Sequence, residues 1–264
     1  MRSLHKNKYI LIAMASLLGY GVPVYSADSQ SIAGSVHAQI TREALTGTLA
    51  EASLAAIVAA NDSQDLPNGD GATEKRRHFD GGSMSASVGF INREKTRALN
   101  LASEADTDLD SRSDALRHFG MMVHCVQDFY LHSNYVELQL EQQQNKSEPY
   151  NIALVDWSKI PDGYTGTASG SHLTAARQGA TDDLLNKDSD GSVGGKQIVS
   201  GDVTYFKVAR ELALRETQRQ WNLFETLLRA RCGERAPSVV AALRQAGPVS
   251  PGKTSSSGSE AKDY

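Results

Sequence analysis

At 264 residues with 40% hydrophobic side chains, the chain can bury one sizeable core. A net charge of −4 and a pI near 6.0 exclude a nonspecific polyanion binder, which would be basic, but not an enzyme that meets phosphate through metal ions. Cys125 and Cys232 are the only two cysteines, so a cysteine-rich zinc knuckle is excluded and any metal site must use histidine and carboxylate.

The chain opens like a secretory signal over residues 1–26. Arg2, Lys6 and Lys8 precede an apolar run from Tyr9 to Leu18, and Val24-Tyr25-Ser26 offers small-residue spacing for cleavage before Ala27. The run is short for a membrane span, which needs about 20 residues. An exported, periplasmic or secreted protein is therefore expected, with a domain over 27–246 and a disordered tail over 247–264 rich in Pro, Gly and Ser. Helical periodicity dominates that domain. His37 to Ala60 carries Ile40, Ala44, Leu45, Leu49 and Ala52 at helical spacing. Asn61 to Gly71 is a polar loop, and Asn92 to Ala105 a second helix. Ser113-Asp114 can cap a helix reaching about Ser133. Tyr150 to Gly170 reads as loop, and Gly170-Ser171 precedes a helical stretch to about Leu185. Ile198-Val199 and Val203-Thr204-Tyr205-Phe206 are weak strand signals. Asp202 opens the longest helix, ending near Gly233, and Pro237 to Ala246 adds a short one. The fold class is all-α, a multi-helix bundle.

His124, Asp128 and His132 lie four residues apart, one helical turn with a small overshoot, so they form one stripe. Two imidazoles around a carboxylate on a face otherwise made of Phe, Met, Val and Tyr are costly to bury without a partner. A divalent metal is such a partner, and zinc accepts both donor types. Other histidines join as candidates: His37 at a helix start, His78 and Asp80 around Phe79, and His172 after Gly170-Ser171. Asp80 could bridge metals or act as general base. His118 sits off the stripe and reads as a supporting or core histidine rather than a shared ligand. Asp188-Ser189-Asp190-Gly191 lacks the pattern of a calcium loop and reads as a solvated turn. Cys125 can pair with Cys232 or serve as a small buried apolar residue. Neither a phosphate-binding Gly-rich loop nor a Gly-x-Ser-x-Gly elbow is present.

The stretch His124-Cys125-Val126-Gln127-Asp128-Phe129-Tyr130-Leu131-His132-Ser133-Asn134-Tyr135-Val136-Glu137 resembles the signature of Het-C domain proteins, and is similar to zinc-dependent phospholipase C and S1/P1 nucleases. His37 with Ile40-Thr41, His78-Phe79-Asp80 and Leu185-Asn186-Lys187-Asp188 are further pieces of that likeness. The resemblance implies an all-helical fold holding two or three zinc ions. His124, Asp128 and His132 would be the firmest ligands, joined by His37, Asp80, His78 and His172, with Asn134 and Glu137 orienting ligands. There are departures. Cleavage before Ala27 leaves no amino-terminal aromatic, Tyr205-Phe206-Lys207 stands where a late histidine is expected, and Ala176 lies four residues after His172.

The expectation is therefore an exported zinc phosphodiesterase of phospholipase C type. Asp80 would position water, and Phe79, Phe129 and Tyr130 would wall the substrate. The alternatives are a nuclease or nucleotidase, and a non-enzymatic Het-C-type toxin that binds a membrane surface, an immunity protein or another partner.

Overall fold

The computed structural model describes residues 34–66, 75–79, 84–143, 147–160, 164–166 and 184–245. The signal-like segment, the tail from 247, Asp80 and His172 lie outside the described residues. The described part is mostly helical: α1 (Val36–Leu45), α2 (Glu51–Asp62), α3 (Met84–Ala102), α4 (Leu109–His132), α5 (Tyr135–Gln142), α6 (Tyr205–Cys232) and α7 (Ala236–Gln245). A short antiparallel pair, β1 (Ile198–Ser200) and β2 (Val203–Thr204), leads into α6. None of the described helices is long and apolar enough to cross a membrane.

The expected helix over 37–60 is two helices. At Thr46 the chain turns back, its N–H and its hydroxyl both bonding to the Arg42 carbonyl, and Ala50 N–H bonds to the Arg244 carbonyl on α7. This break lets α1 and α2 approach the site from different directions. The α4 helix begins earlier than expected, because Asp108 rather than Ser113 caps it by accepting from the N–H groups of Asp110 and Ser111. Ile198 and Val203-Thr204 do pair as strands, but Tyr205 already belongs to α6, which Thr204 caps through the Lys207 N–H.

Helix α4 is the central element. From Met122 to His132 every side chain is buried, so its polar residues had to find partners inside. Ile57 and Val58 of α2, Phe90 and Ala98 of α3, and Leu212, Trp221 and Phe224 of α6 share the core with Phe119, Val123 and Val126 of α4. Gly120 permits a close approach of α2 to α4: a Cβ there would sit 2.4 Å from the Ile57 carbonyl oxygen. That contact draws α2 against α4 one turn before His124. Cys125 is buried on α4, and both cysteines are free thiols. His118 bonds to Glu94 at 2.6 Å, a pairing within the helical framework.

Candidate metal centre

Four segments bring ionisable side chains to one point. Ser35 caps α1 by accepting from Ala38 N–H, which sets His37 in the first turn with its ring turned inward. Asp65 follows the end of α2. His78 follows a short 3-10 turn at Lys75–Arg77, and α4 supplies His124, Asp128 and His132. His37, His78, His124, Asp128 and His132 are all buried, whereas Asp65 is about one-third exposed.

The donor atoms sort around the two oxygens of Asp128. Its Oδ2 lies 2.9 Å from His78 Nδ1 and 3.2 Å from His124 Nε2. Its Oδ1 lies 3.2 Å from His37 Nε2 and 3.3 Å from His132 Nδ1. Asp65 divides the same way. Its Oδ1 is 3.3 Å from His124 Nε2 and 3.9 Å from His78 Nδ1, while its Oδ2 is 3.8 Å from His37 Nε2. His78 Nδ1 and His124 Nε2 are 3.1 Å apart. Metal–ligand bonds of about 2.0–2.1 Å in a tetrahedron place donors roughly 3.3 Å from each other. The spacings around Asp128 come close to that value, one of its oxygens facing His78 and His124 and the other His37 and His132. The triads His37, Asp65, His124 and His78, His124, Asp128 both meet the geometry of a metal site. His124 Nε2 has one lone pair and can serve only one ion.

The electrostatics are those of a cluster that expects positive charge. Burial pushes the Asp128 carboxyl up, but the rings of His124, His132 and His37 outweigh it and hold the group well below the usual carboxylate range. Asp65 is held down likewise, its burial being overcome by His124 and His37. Burial and the His124 charge press the His37 pKa down, yet Asp128 and Asp65 raise it on balance. Burial is again the largest influence on His124, and Asp128 with Asp65 overrides it, so that its pKa lies well above the usual value. Without metal, protons neutralise the carboxylates; an ion must displace them to bind.

Beyond the donors lies a polar network invisible in the spacing of histidines. His37 Nδ1 donates to Gln127 Oε1 at 2.9 Å, and His124 Nδ1 donates to Asn61 Oδ1 at 3.0 Å. Each ring, when neutral, thus keeps its proton on Nδ1 and turns the Nε2 lone pair to the centre, the arrangement that metal-binding histidines favour. On the other side, His132 Nε2 bonds to Asp188 Oδ1 at 2.6 Å. The preceding Lys187 is fully buried and donates to Ser133 O, Leu185 O and Glu137 Oε1, which pins Asp188 in place. The 188–191 turn therefore does join the site, through a carboxylate that turn chemistry alone did not signal. Asp65, Asn61, Gln127 and Asp188 were missed because each is an ordinary polar residue in sequence.

Phe79 and its neighbours sit beneath the centre rather than in front of it. Phe79, Phe129 and Tyr130 are wholly buried, so they cannot wall a substrate as expected. Phe129 packs against Phe79, Tyr135, Trp157 and Tyr164 at centroid distances of 5.1–5.7 Å. Phe79 has φ 57°, a left-handed backbone that costs a non-glycine residue about 1–3 kcal/mol. Gly166 seals it: a Cβ there would lie 1.7 Å from the Phe79 carbonyl oxygen. The aromatic cage and this contact hold the strained residue, and with it His78.

A cavity of about 250 Å³, lined by Ser35, Val36, His37, Asp65, His132 and Asp188, opens onto the centre. The family model of the VWA7 N-terminal domain matches residues 30–150 of this chain. That finding corrects the resemblance to Het-C proteins and to the phospholipase C and nuclease enzymes. The matched segment runs through α1 to α5 and carries every donor named above except Asp188. No curated protein and no solved structure matches the chain.

Proposed function

We propose that this chain binds two divalent metal ions and hydrolyses a phosphoric ester at the mouth of its centre. The observation that carries the reading is the division of both oxygens of Asp65 and of Asp128 between two sets of imidazole donors. One set is His78 and His124; the other is His37 and His132. Imidazole with carboxylate suits zinc, and an all-oxygen ion such as calcium would leave four nitrogens badly matched. Ions so held would supply Lewis acidity toward an anionic ester and an acidified water near neutral pH.

The protein's own groups do the rest. Two divalent charges outweigh the carboxylates of Asp65, Asp128 and Asp188, so the loaded mouth attracts an anion. His132, held between Asp128 and Asp188, faces that mouth and fixes its donor against the pocket. Asp65 and Asp188, each about one-third exposed, are the carboxylates that can meet water or substrate. The small pocket has room for a phosphorylated head group or a nucleotide phosphate.

The test is elemental analysis of the full chain after zinc loading, with turnover of bis(p-nitrophenyl) phosphate, a phospholipid and single-stranded DNA. About two ions per chain and metal-dependent cleavage of at least one ester, both lost in His124→Ala, are expected. A chain that takes up no divalent ion overturns the reading. The burial of His78, His124 and Asp128 favours one rival, a purely structural metal. Full loading with no cleavage, and unfolding on metal removal, would establish that rival.

A further inference from the structure

The amide network behind the centre has a direction, and one hydroxyl on α6 sets it. Thr217 Oγ1 donates its single proton to the Ala213 carbonyl at 2.8 Å. It can therefore only accept from Gln127 Nε2, at 3.1 Å. The Gln127 amide group also donates to Thr41 Oγ1 at 2.9 Å. With its nitrogen committed, Gln127 turns Oε1 toward His37 Nδ1 and toward Asn61 Nδ2, which donates to it at 3.1 Å and to Thr41 Oγ1 at 3.0 Å. Asn61 must then present Oδ1 to His124 Nδ1. Reversing the chain would set the Gln127 oxygen against an oxygen whose proton is already used. It would turn both amide nitrogens toward the rings and move the ring protons to Nε2, where an ion must bind.

We propose that Thr217 is a positioning residue for the metal centre: through Gln127 and Asn61 it holds His37 and His124 in the tautomer whose Nε2 lone pairs face the ions. The inference rests on the metal reading above and adds a residue that touches neither ion nor substrate. Gln127, Asn61 and Thr217 are buried, so water cannot substitute for the missing acceptor.

The test compares wild type, Thr217→Val and Thr217→Ser as full-length proteins. Zinc affinity is read by competition with a chromophoric chelator, and the ring tautomers by imidazole nitrogen NMR of the metal-free proteins at alkaline pH. Wild type should show protons on Nδ1 of both His37 and His124. Thr217→Val should weaken zinc binding roughly tenfold to hundredfold, the range seen when outer partners of metal-bound histidines are removed, and should mix the tautomers. Thr217→Ser should restore both. Thr217→Val with unchanged affinity and unchanged tautomers overturns the inference and leaves the metal reading standing. Wild type that binds no zinc overturns the metal reading and the affinity claim with it. The wild-type ring spectrum judges the relay even if the valine variant does not fold: protons on Nε2 would end it.

Discussion

Asp128→Asn removes the fully buried one of the two carboxylates that lie between the donor sets. At pH 7 without metal, Asp128 is ionised and the His124 pKa lies well above its usual value, so a buried anion sits against a buried cation. One such pair at about 3 Å is worth roughly 5 kcal/mol at an effective dielectric of about 20, before desolvation is deducted. Breaking a buried pair from one side costs about 3–5 kcal/mol. Here the rings can release their protons in response, which holds the loss near the lower figure, about 3 kcal/mol. For a chain of this size each 1 kcal/mol moves Tm by about 2–4 °C. Differential scanning calorimetry of the metal-free variant should therefore show Tm lower by about 6–12 °C. Zinc stoichiometry should fall as well, since Asn offers a single neutral oxygen and cannot serve both ions. A metal-free Tm within about 2 °C of wild type would refute the electrostatic account. Two ions bound with undiminished affinity would refute the shared-carboxylate geometry.

Gly166→Ala places a methyl against the Phe79 carbonyl; it should shift His78 and weaken zinc at least tenfold in a chelator competition, while the helical circular dichroism stays near wild type. Asn61→Ala removes the acceptor of His124 and Asp188→Asn weakens the hold on His132, two rings in different donor sets. If two ions bind, each variant should impair a different step of a zinc titration and the double variant both, whereas one ion would give a single step impaired by either. At the far end of the fold, Asp106 bonds to Arg235 at 2.6 Å and Ser238 at 2.7 Å. Burial raises its pKa but those bonds lower it further, so the folded value lies below the usual 3.8. The unfolded chain then binds more protons as the pH falls, and this contribution is present above about pH 4 and lost as acid titrates the folded group. Asp106→Asn should flatten the acid limb of a Tm-against-pH curve; an unchanged acid limb would count against the pairing.

Helical content and the α4 stripe were legible because both follow from periodicity. His124, Asp128 and His132 repeat at one turn, and the cost of burying them unaided was readable from the Phe, Met and Val around them. What the sequence could not convey is direction in space. Asp65 reads as loop punctuation beside Pro67 and Gly69, and only the end of α2 aims it at His124. Gln127 looks like a helix-neutral residue until its neighbours on α1 and α6 turn its amide. Phe79, Phe129 and Tyr130 looked like a substrate wall because aromatic residues flanked the candidates. Flanking in sequence put them on the inward side of the same backbone, where they support the ligands from behind. The Het-C likeness drew on the same α4 stripe, and a stripe of His and Asp at helical spacing is short enough to recur in a different family, here the one whose model matches residues 30–150.

The two halves of the described chain contribute differently to the centre. Every donor atom of both sets comes from the segment between His37 and His132, within the 30–150 match to the VWA7 N-terminal domain model. Among the described residues after His132, Asp188 holds the far nitrogen of His132, Lys187 holds Asp188, and Thr217 orients Gln127. That segment brings the side chains together because α1 and α2 both pack beside α4, although α3 separates α2 from α4 in sequence. His37 and His124 find partners for their second nitrogens inside that segment, in Gln127 and Asn61. His132 finds its own in Asp188, outside it, and Thr217 of α6 fixes the amide of Gln127 from behind. A centre cut from residues 30–150 alone would keep its ligands and lose the constraint on their protons, and with it the difference between a pocket that can bind metal and one already arranged to do so.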